Sequence, residues 1–126
     1  MNTLAFIIDD SPINLAIGRV LLQRLGWTVE AFSSAASMLA RLDEAKPAFM
    51  LLDISRPDMG GEEVCQQIRA RPECAGIRII AYTAHALDDD HQRYLRSGFD
   101  EIMIKPITLG AITAAVGAAP SPPAPA

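Results

Sequence analysis

Asp53 closes a short apolar run, Phe49-Met50-Leu51-Leu52, and opens a turn-rich stretch from Ile54 to Gly61. Its carboxylate is therefore expected at the carboxyl end of a buried strand, where open α/β sheets take their ligands. The same pattern sets Asp9 and Asp10 after Leu4 to Ile8, Thr83 after Ile79 to Tyr82, and Lys105 after Ile102 to Ile104. Four strand ends then present three carboxylates, a hydroxyl and an ammonium along one edge, a set suited to phosphoryl transfer onto a carboxylate with a divalent cation. Two carboxylates about 4 Å apart repel by on the order of 4 kcal/mol at an effective dielectric of about 20. A cation or a proton must offset that cost. All-oxygen ligation with no His or Cys close by in sequence selects a hard ion, and Mg²⁺, which keeps several waters and takes one or two protein carboxylates, fits best. Such an ion would neutralise charge on an incoming phosphoryl group and let the anionic Asp53 approach it. Lys105 then supplies a point charge to the phosphoryl oxygens and Thr83 a hydroxyl donor.

Taken singly, each of these residues has a plainer reading. Asp9 or Asp10 alone is a turn former or helix N-cap, Lys105 a solvated lysine before Pro106, and Thr83 a helix cap. Recurrence at successive strand ends favours the collective reading.

The elements that must position this set are legible as hydrophobic periodicity. Five short apolar runs, Leu4 to Ile8, Thr28 to Phe32, Phe49 to Leu52, Arg78 to Tyr82 and Glu101 to Ile104, alternate with segments of helical spacing. That alternation predicts βαβ units and a parallel sheet covered on both faces. Ile13, Ala16, Ile17, Val20, Leu21 and Leu25 recur at helical intervals, with Pro12 near the start and Gly26 just past the end. A second helix is expected from Ser34 to Leu42, capped by Ser33 or Ser34, with Met38, Leu39 and Leu42 facing inward. A third, from Gly61 or Glu62 to Ala70, buries Val64, Cys65 and Ile68, carries Glu62 and Glu63 in its first turn, and ends before Pro72. The fourth runs from Asp88-Asp89-Asp90 to Arg96 with Gly98 as its stop, and its thin apolar content predicts the weakest anchoring. The fifth is the alanine-rich segment Leu109 to Val116.

A chain of 126 residues, half of them hydrophobic, is one domain that can bury a core without staples. The domain is expected over residues 1–118, and the Pro/Ala-rich segment 119–126 reads as a linker or a frayed end. Apolar stretches are strand-length, far short of the roughly 20 residues that cross a bilayer, and no basic-then-apolar leader follows Met1. The expectation is a cytoplasmic protein with no membrane contact. A net charge of −4 and scattered basic residues argue against nucleic acid as a partner. Cys65 and Cys74 lack metal spacing and read as reduced thiols, Cys65 in packing and Cys74 in a loop.

The segments Ile8-Asp9-Asp10-Ser11-Pro12-Ile13-Asn14, Leu51-Leu52-Asp53 with Pro57 and Gly60-Gly61, Ala81-Tyr82-Thr83-Ala84-His85-Ala86, and Lys105-Pro106-Ile107 together resemble the receiver domain of two-component response regulators. The resemblance covers residues 3 to 117 and implies a flavodoxin-like (βα)5 three-layer sandwich whose five-stranded parallel sheet has the order 2-1-3-4-5. It implies that Asp53 accepts a phosphoryl group from a phosphohistidine on a sensor histidine kinase or histidine phosphotransfer domain. It further implies that Asp10, Asp53 and the backbone carbonyl of Ser55 ligate Mg²⁺, with Asp9 acting mostly through water. Thr83 and Lys105 would hold the phosphoryl oxygens, and their movement would reshape the loop after Thr83 and the fourth helix. The kinase-facing surface would involve Ile13, Asn14 and Ile107, and a downstream protein would read the fourth helix, fifth strand and fifth helix.

Three positions depart from the family's pattern. Ile102 stands where an aromatic usually lies three residues before the lysine, and Gly60-Gly61 replaces a more familiar Asp-Gly. Ser55 and His85 occupy the two variable positions flanking the phosphorylation site, where side chains tune attack of water on the acyl phosphate. Tyr82 reads as ordinary packing. A haloacid-dehalogenase-like phosphatase shares the Asp, Thr, Lys and Mg²⁺ set but needs a second Asp where Ser55 stands, and room for a cap domain. A receiver-like adaptor that takes no phosphate would have lost part of the acidic pair or the lysine. Both therefore rank below a phosphorylatable receiver whose only chemistry is Mg²⁺-dependent self-phosphorylation and autodephosphorylation.

Overall fold

Five β-branched and aliphatic runs form the strands β1 (Leu4–Ile8), β2 (Thr28–Phe32), β3 (Phe49–Asp53), β4 (Arg78–Thr83) and β5 (Glu101–Ile104). The helices between and after them are α1 (Pro12–Arg24), α2 (Ala35–Arg41), α3 (Gly61–Arg69), α4 (Asp88–Arg96) and α5 (Leu109–Val116). These come from a computed structural model that describes residues 2–54, 61–83, 88–104 and 107–119, with residues 88–91 as backbone. All strand pairs are parallel and the sheet order is β2-β1-β3-β4-β5, the flavodoxin-like arrangement expected. Ser55 to Gly60, Ala84 to Leu87, Lys105, Pro106 and the tail from Pro120 onward lie outside the described residues.

Successive side chains in a strand point to opposite faces, so an all-apolar strand feeds two cores at once. Phe6, Ile8, Met50, Leu52, Ile79 and Ala81 pack with Met38 and Leu42 from the α2 region and Val64 and Ile68 of α3. Ala5, Ile7, Phe49, Leu51, Ile80 and Tyr82 pack with Leu22 of α1, Trp27, and Ile112 and Ala115 of α5. Helices therefore cover both sheet faces, giving three layers. Burying a large aliphatic side chain contributes about 1.5–3 kcal/mol, and β3 is buried along its whole length. It is the rigid centre from which Asp53 projects.

The helix ends follow the capping logic. Ser11 accepts from the Asn14 backbone N–H at the start of α1, where Pro12 occupies the first turn. Ser34, one of the two residues expected, caps α2 by accepting from Ser37 N–H. Thr108 does the same for α5 through Ala111 N–H. Gly26 and Gly98 take positive φ of 92° and 113° just after α1 and α4, which a side chain would oppose.

Several expectations need correction. Asp53 and Thr83 are the last residues of β3 and β4 rather than the first beyond them, because the β3–β4 ladder runs on. Ile54 N–H still donates to the Tyr82 carbonyl at 3.4 Å. Cys74, expected in a loop, lies in a short 3₁₀ turn, Pro72–Cys74, in the connection from α3 to β4, and that turn buries it in the core. Of the apolar series used to recognise α1, Ile13, Ile17 and Val20 face solvent, at 72%, 43% and 54% exposure. The inward face is Gly18 and Leu22, flanked by the partly buried Leu15, Leu21 and Leu25. Gly18 is what allows α1 to lie close to the sheet, since a Cβ there would fall 2.3 Å from Ile7 Cδ1.

Candidate functional site

Asp9, Asp10 and Asp53 each offer a carboxylate oxygen, and these oxygens lie within 4.8 Å of one another. The register explains the convergence. Ile8 pairs with Leu52, and Asp53 pairs with Tyr82, so Asp9, Asp53 and Tyr82 form one row across the ends of β1, β3 and β4. Asp10 follows Asp9 where the chain leaves the sheet, and unlike Asp9 and Asp53 it is exposed. Thr83, also buried, stands opposite Ile104 at the next pair of strand ends. Three of the four strand ends read from the sequence are thus described at one edge, carrying the three carboxylates and the Thr83 hydroxyl. Ser55 and Lys105 lie outside the described residues, although the strand leading to Lys105 is described to its last residue, Ile104.

Burying a carboxylate is costly unless hydrogen bonds replace its lost water. Asp9 is fully buried, and among the described residues Ser11 N–H reaches Oδ1 at 2.9 Å and the Tyr82 hydroxyl reaches Oδ2 at 2.6 Å. The Asp9 backbone N–H donates to the Phe32 carbonyl at 3.2 Å, tying the turn to β2. The Ser11 bond is an N–H two residues on, the local geometry by which an Asp organises the turn into a helix. Asp9 thus performs the turn-forming role weighed for it singly while also belonging to the acidic cluster.

Tyr82 is a site residue that sequence reasoning placed in ordinary packing. It is fully buried in the core beneath α1 and α5, yet its hydroxyl joins the acidic group. The available signal was a tyrosine in an inward position of an otherwise aliphatic strand, since a buried phenol needs a partner for its O–H.

Gly61, the first residue of α3, also serves the site. An added Cβ there would meet Ile54 Cα at 2.7 Å and Ile54 Cγ2 at 2.4 Å. Gly61, the second glycine of Gly60-Gly61, is therefore required by the close approach of α3 to the residue following Asp53, while Gly60 lies outside the described residues.

Hard oxygen donors at this spacing suit a divalent cation of the Mg²⁺ class, with Asp10 offering the solvent-facing carboxylate and Asp53 the buried one. Exposed Asp10 can bind an ion that keeps most of its waters, as Mg²⁺ does.

The family model for the response regulator receiver domain matches residues 5–117. An uncharacterized 14.6 kDa protein in the sodA1 3′ region of Leptolyngbya boryana is 32% identical over 111 residues, covering 85% of both chains. The aerobic respiration control sensor protein ArcB of Escherichia coli (strain K12) is 30% identical over 111 residues, covering 87% of this chain. That match spans only 14% of the sensor protein's length. Among solved structures, the receiver domain of the sensor histidine kinase PA1611 from Pseudomonas aeruginosa PAO1 superimposes with a TM-score of 0.81 at 23% identity. It covers 91% of this chain and 94% of that one, and carries a magnesium ion coordinated in its active-site cleft.

Proposed function

We propose, for a chain that belongs to the response regulator receiver family of two-component signalling, that Asp53 is a phosphoacceptor charged from a phosphohistidine in a Mg²⁺-dependent step. The single observation that supports this most is the convergence of the Asp9, Asp10 and Asp53 carboxylates at the end of the central strand. Asp10, Asp53 and the Ser55 backbone carbonyl would hold the ion, with Asp9 oriented behind them. The ion supplies charge neutralisation, so that an anionic phosphoryl group can approach an anionic nucleophile.

This chain's own residues do the rest. Asp53 sits on a strand buried along its length, so its carboxylate oxygen is held in place for in-line attack on the phosphorus. The bond from phosphorus to the donor imidazole nitrogen breaks as the bond to the Asp53 oxygen forms, and the imidazole leaves with the electron pair. Thr83 Oγ1 and Lys105 Nζ would then hold the phosphoryl oxygens. The reaction is a transfer to the protein itself, followed by self-catalysed hydrolysis, and the functional unit is residues 1–118 with 119–126 as a tail or linker start, acting in the cytoplasm.

The donor is a sensor histidine kinase or a histidine phosphotransfer domain. The exposed Ile13, Ile17 and Val20 of α1, beside Asn14 and Ile107, form the surface for it: an apolar strip next to the acidic site. The output side is α4, β5 and α5, where Leu95, Ile104 and Leu109 are exposed. With Ile102 at the aromatic position, readout there goes through these aliphatic side chains.

Incubation with MgCl₂ and acetyl phosphate, followed by intact-protein mass spectrometry, tests the reading. One added phosphoryl group is expected in the wild type and none in Asp53→Asn. Equal modification of the mutant would refute the assignment.

A further inference from the structure

The Tyr82 phenol spans the end of the central strand. β3 lies between β1 and β4, and adjacent strands are about 4.8 Å apart, so a side chain of β4 must reach across two strand intervals to touch one of β1. Tyr82 does so, and the residue it crosses is Asp53, its own register partner. A phenol has one proton to donate. Among the described residues it meets Asp9 Oδ2 at 2.6 Å and the Ile8 carbonyl at 3.4 Å, and the short contact to the carboxylate is the one with charge-assisted length.

The consequence is a carboxylate held at both oxygens. Ser11 N–H fixes Oδ1 from the α1 side and Tyr82 fixes Oδ2 from the β4 side. Carboxylates behind a bound ion work when their orientation is fixed by such outer partners.

We propose that Tyr82 is a positioning residue for the cation site, its hydroxyl clamping Asp9 across the end of β3 so that the Asp9, Asp10 and Asp53 oxygens stay gathered for a divalent ion. The inference rests on the cation role proposed above. It also links that site to β4, because Tyr82 immediately precedes Thr83. Removing the hydroxyl leaves the aromatic ring and its packing in place but releases Oδ2, so the ion-binding geometry loosens with the core intact.

The test titrates MgCl₂ alone into the full chain by calorimetry, comparing wild type, Tyr82→Phe, Asp9→Asn and the double variant. Tyr82→Phe should weaken Mg²⁺ binding by about tenfold, the usual scale for loss of an outer-shell partner. In the Asp9→Asn background the same substitution should have no further effect on affinity. Unchanged affinity in Tyr82→Phe, or an equal loss whether or not Asp9 is present, would overturn the proposal, since a packing role alone survives Tyr→Phe. A wild type that binds no Mg²⁺ would overturn both this inference and the cation role on which it rests. Should Tyr82→Phe fail to fold, wild-type NMR decides. A slowly exchanging, downfield Tyr82 hydroxyl proton that moves on addition of MgCl₂ supports the clamp; one that is absent or unmoved refutes it.

Discussion

Asp53 stands opposite Tyr82 across β3 and β4, and Thr83, one residue further on, stands opposite Ile104 of β5. The site therefore climbs by one residue from the central strand toward the sheet edge. Because these positions are set by parallel ladders, Asp53 and Asp9 are held in the core at the strand ends, and the exposed Asp10 directly follows Asp9. That is the condition under which placement alone can accelerate a transfer reaction.

Gly61→Ala should destabilise the fold through the backbone. The added methyl would collide with Ile54 Cα, which no rotamer change relieves, and overpacking of this kind costs about 1–3 kcal/mol. Urea unfolding should show a lower midpoint with an unchanged slope. A wild-type midpoint would mean that α3 does not pack this tightly beside Asp53.

The two faces of α1 should separate stability from partner recognition. Leu22→Ala, at a fully buried position, should cost about 2–5 kcal/mol of stability. Ile17→Ala and Val20→Ala, at exposed positions, should change stability by no more than about 0.5 kcal/mol. They should nevertheless slow phosphotransfer from a phosphohistidine donor while leaving uptake from acetyl phosphate intact. Equal rates from both donors would remove this strip from the kinase-facing surface.

Cys65 should make the protein less stable in alkali. Burial pushes its thiol from the ordinary 9.0 up to about 11, with the Arg69 guanidinium opposing and Asp100 adding to the rise. In the unfolded chain the thiol ionises first, so the folded state binds more protons between those values and stability falls as pH rises through that window. Below it Cys65 contributes no pH dependence. Cys65→Ser melting curves should lack the part of the wild-type decline between pH 9.0 and about 11 that Cys65 causes; an identical decline in both would assign it elsewhere. At neutral pH the native thiol should resist iodoacetamide, which reacts with thiolate.

Much of this architecture was legible because strands buried on both faces announce themselves as apolar runs, and because four of the five strands lead to a chemically distinctive residue. Leu4–Ile8, Thr28–Phe32 and Glu101–Ile104 coincide with their expected limits, and β3 and β4 run one residue further. What periodicity could not decide was which side of α1 faces inward. That helix is apolar on both sides, with Ile13, Ile17 and Val20 outside and Leu22 inside, so the pattern signals a helix without orienting it. Gly18 was the orienting clue, as a small residue where helix and sheet approach closely. The role of Tyr82 was hidden for a different reason. Its partner Asp9 is 73 residues away, and only the strand order brings them together.

The most direct test of the central claim reduces the acetyl phosphate-treated protein with borohydride, which converts an aspartyl phosphate to homoserine, and locates the change by peptide mass spectrometry. The account predicts homoserine at position 53 alone, dependent on Mg²⁺ during phosphorylation. Homoserine at another aspartate, or none at all in protein that has gained a phosphoryl group, would contradict it.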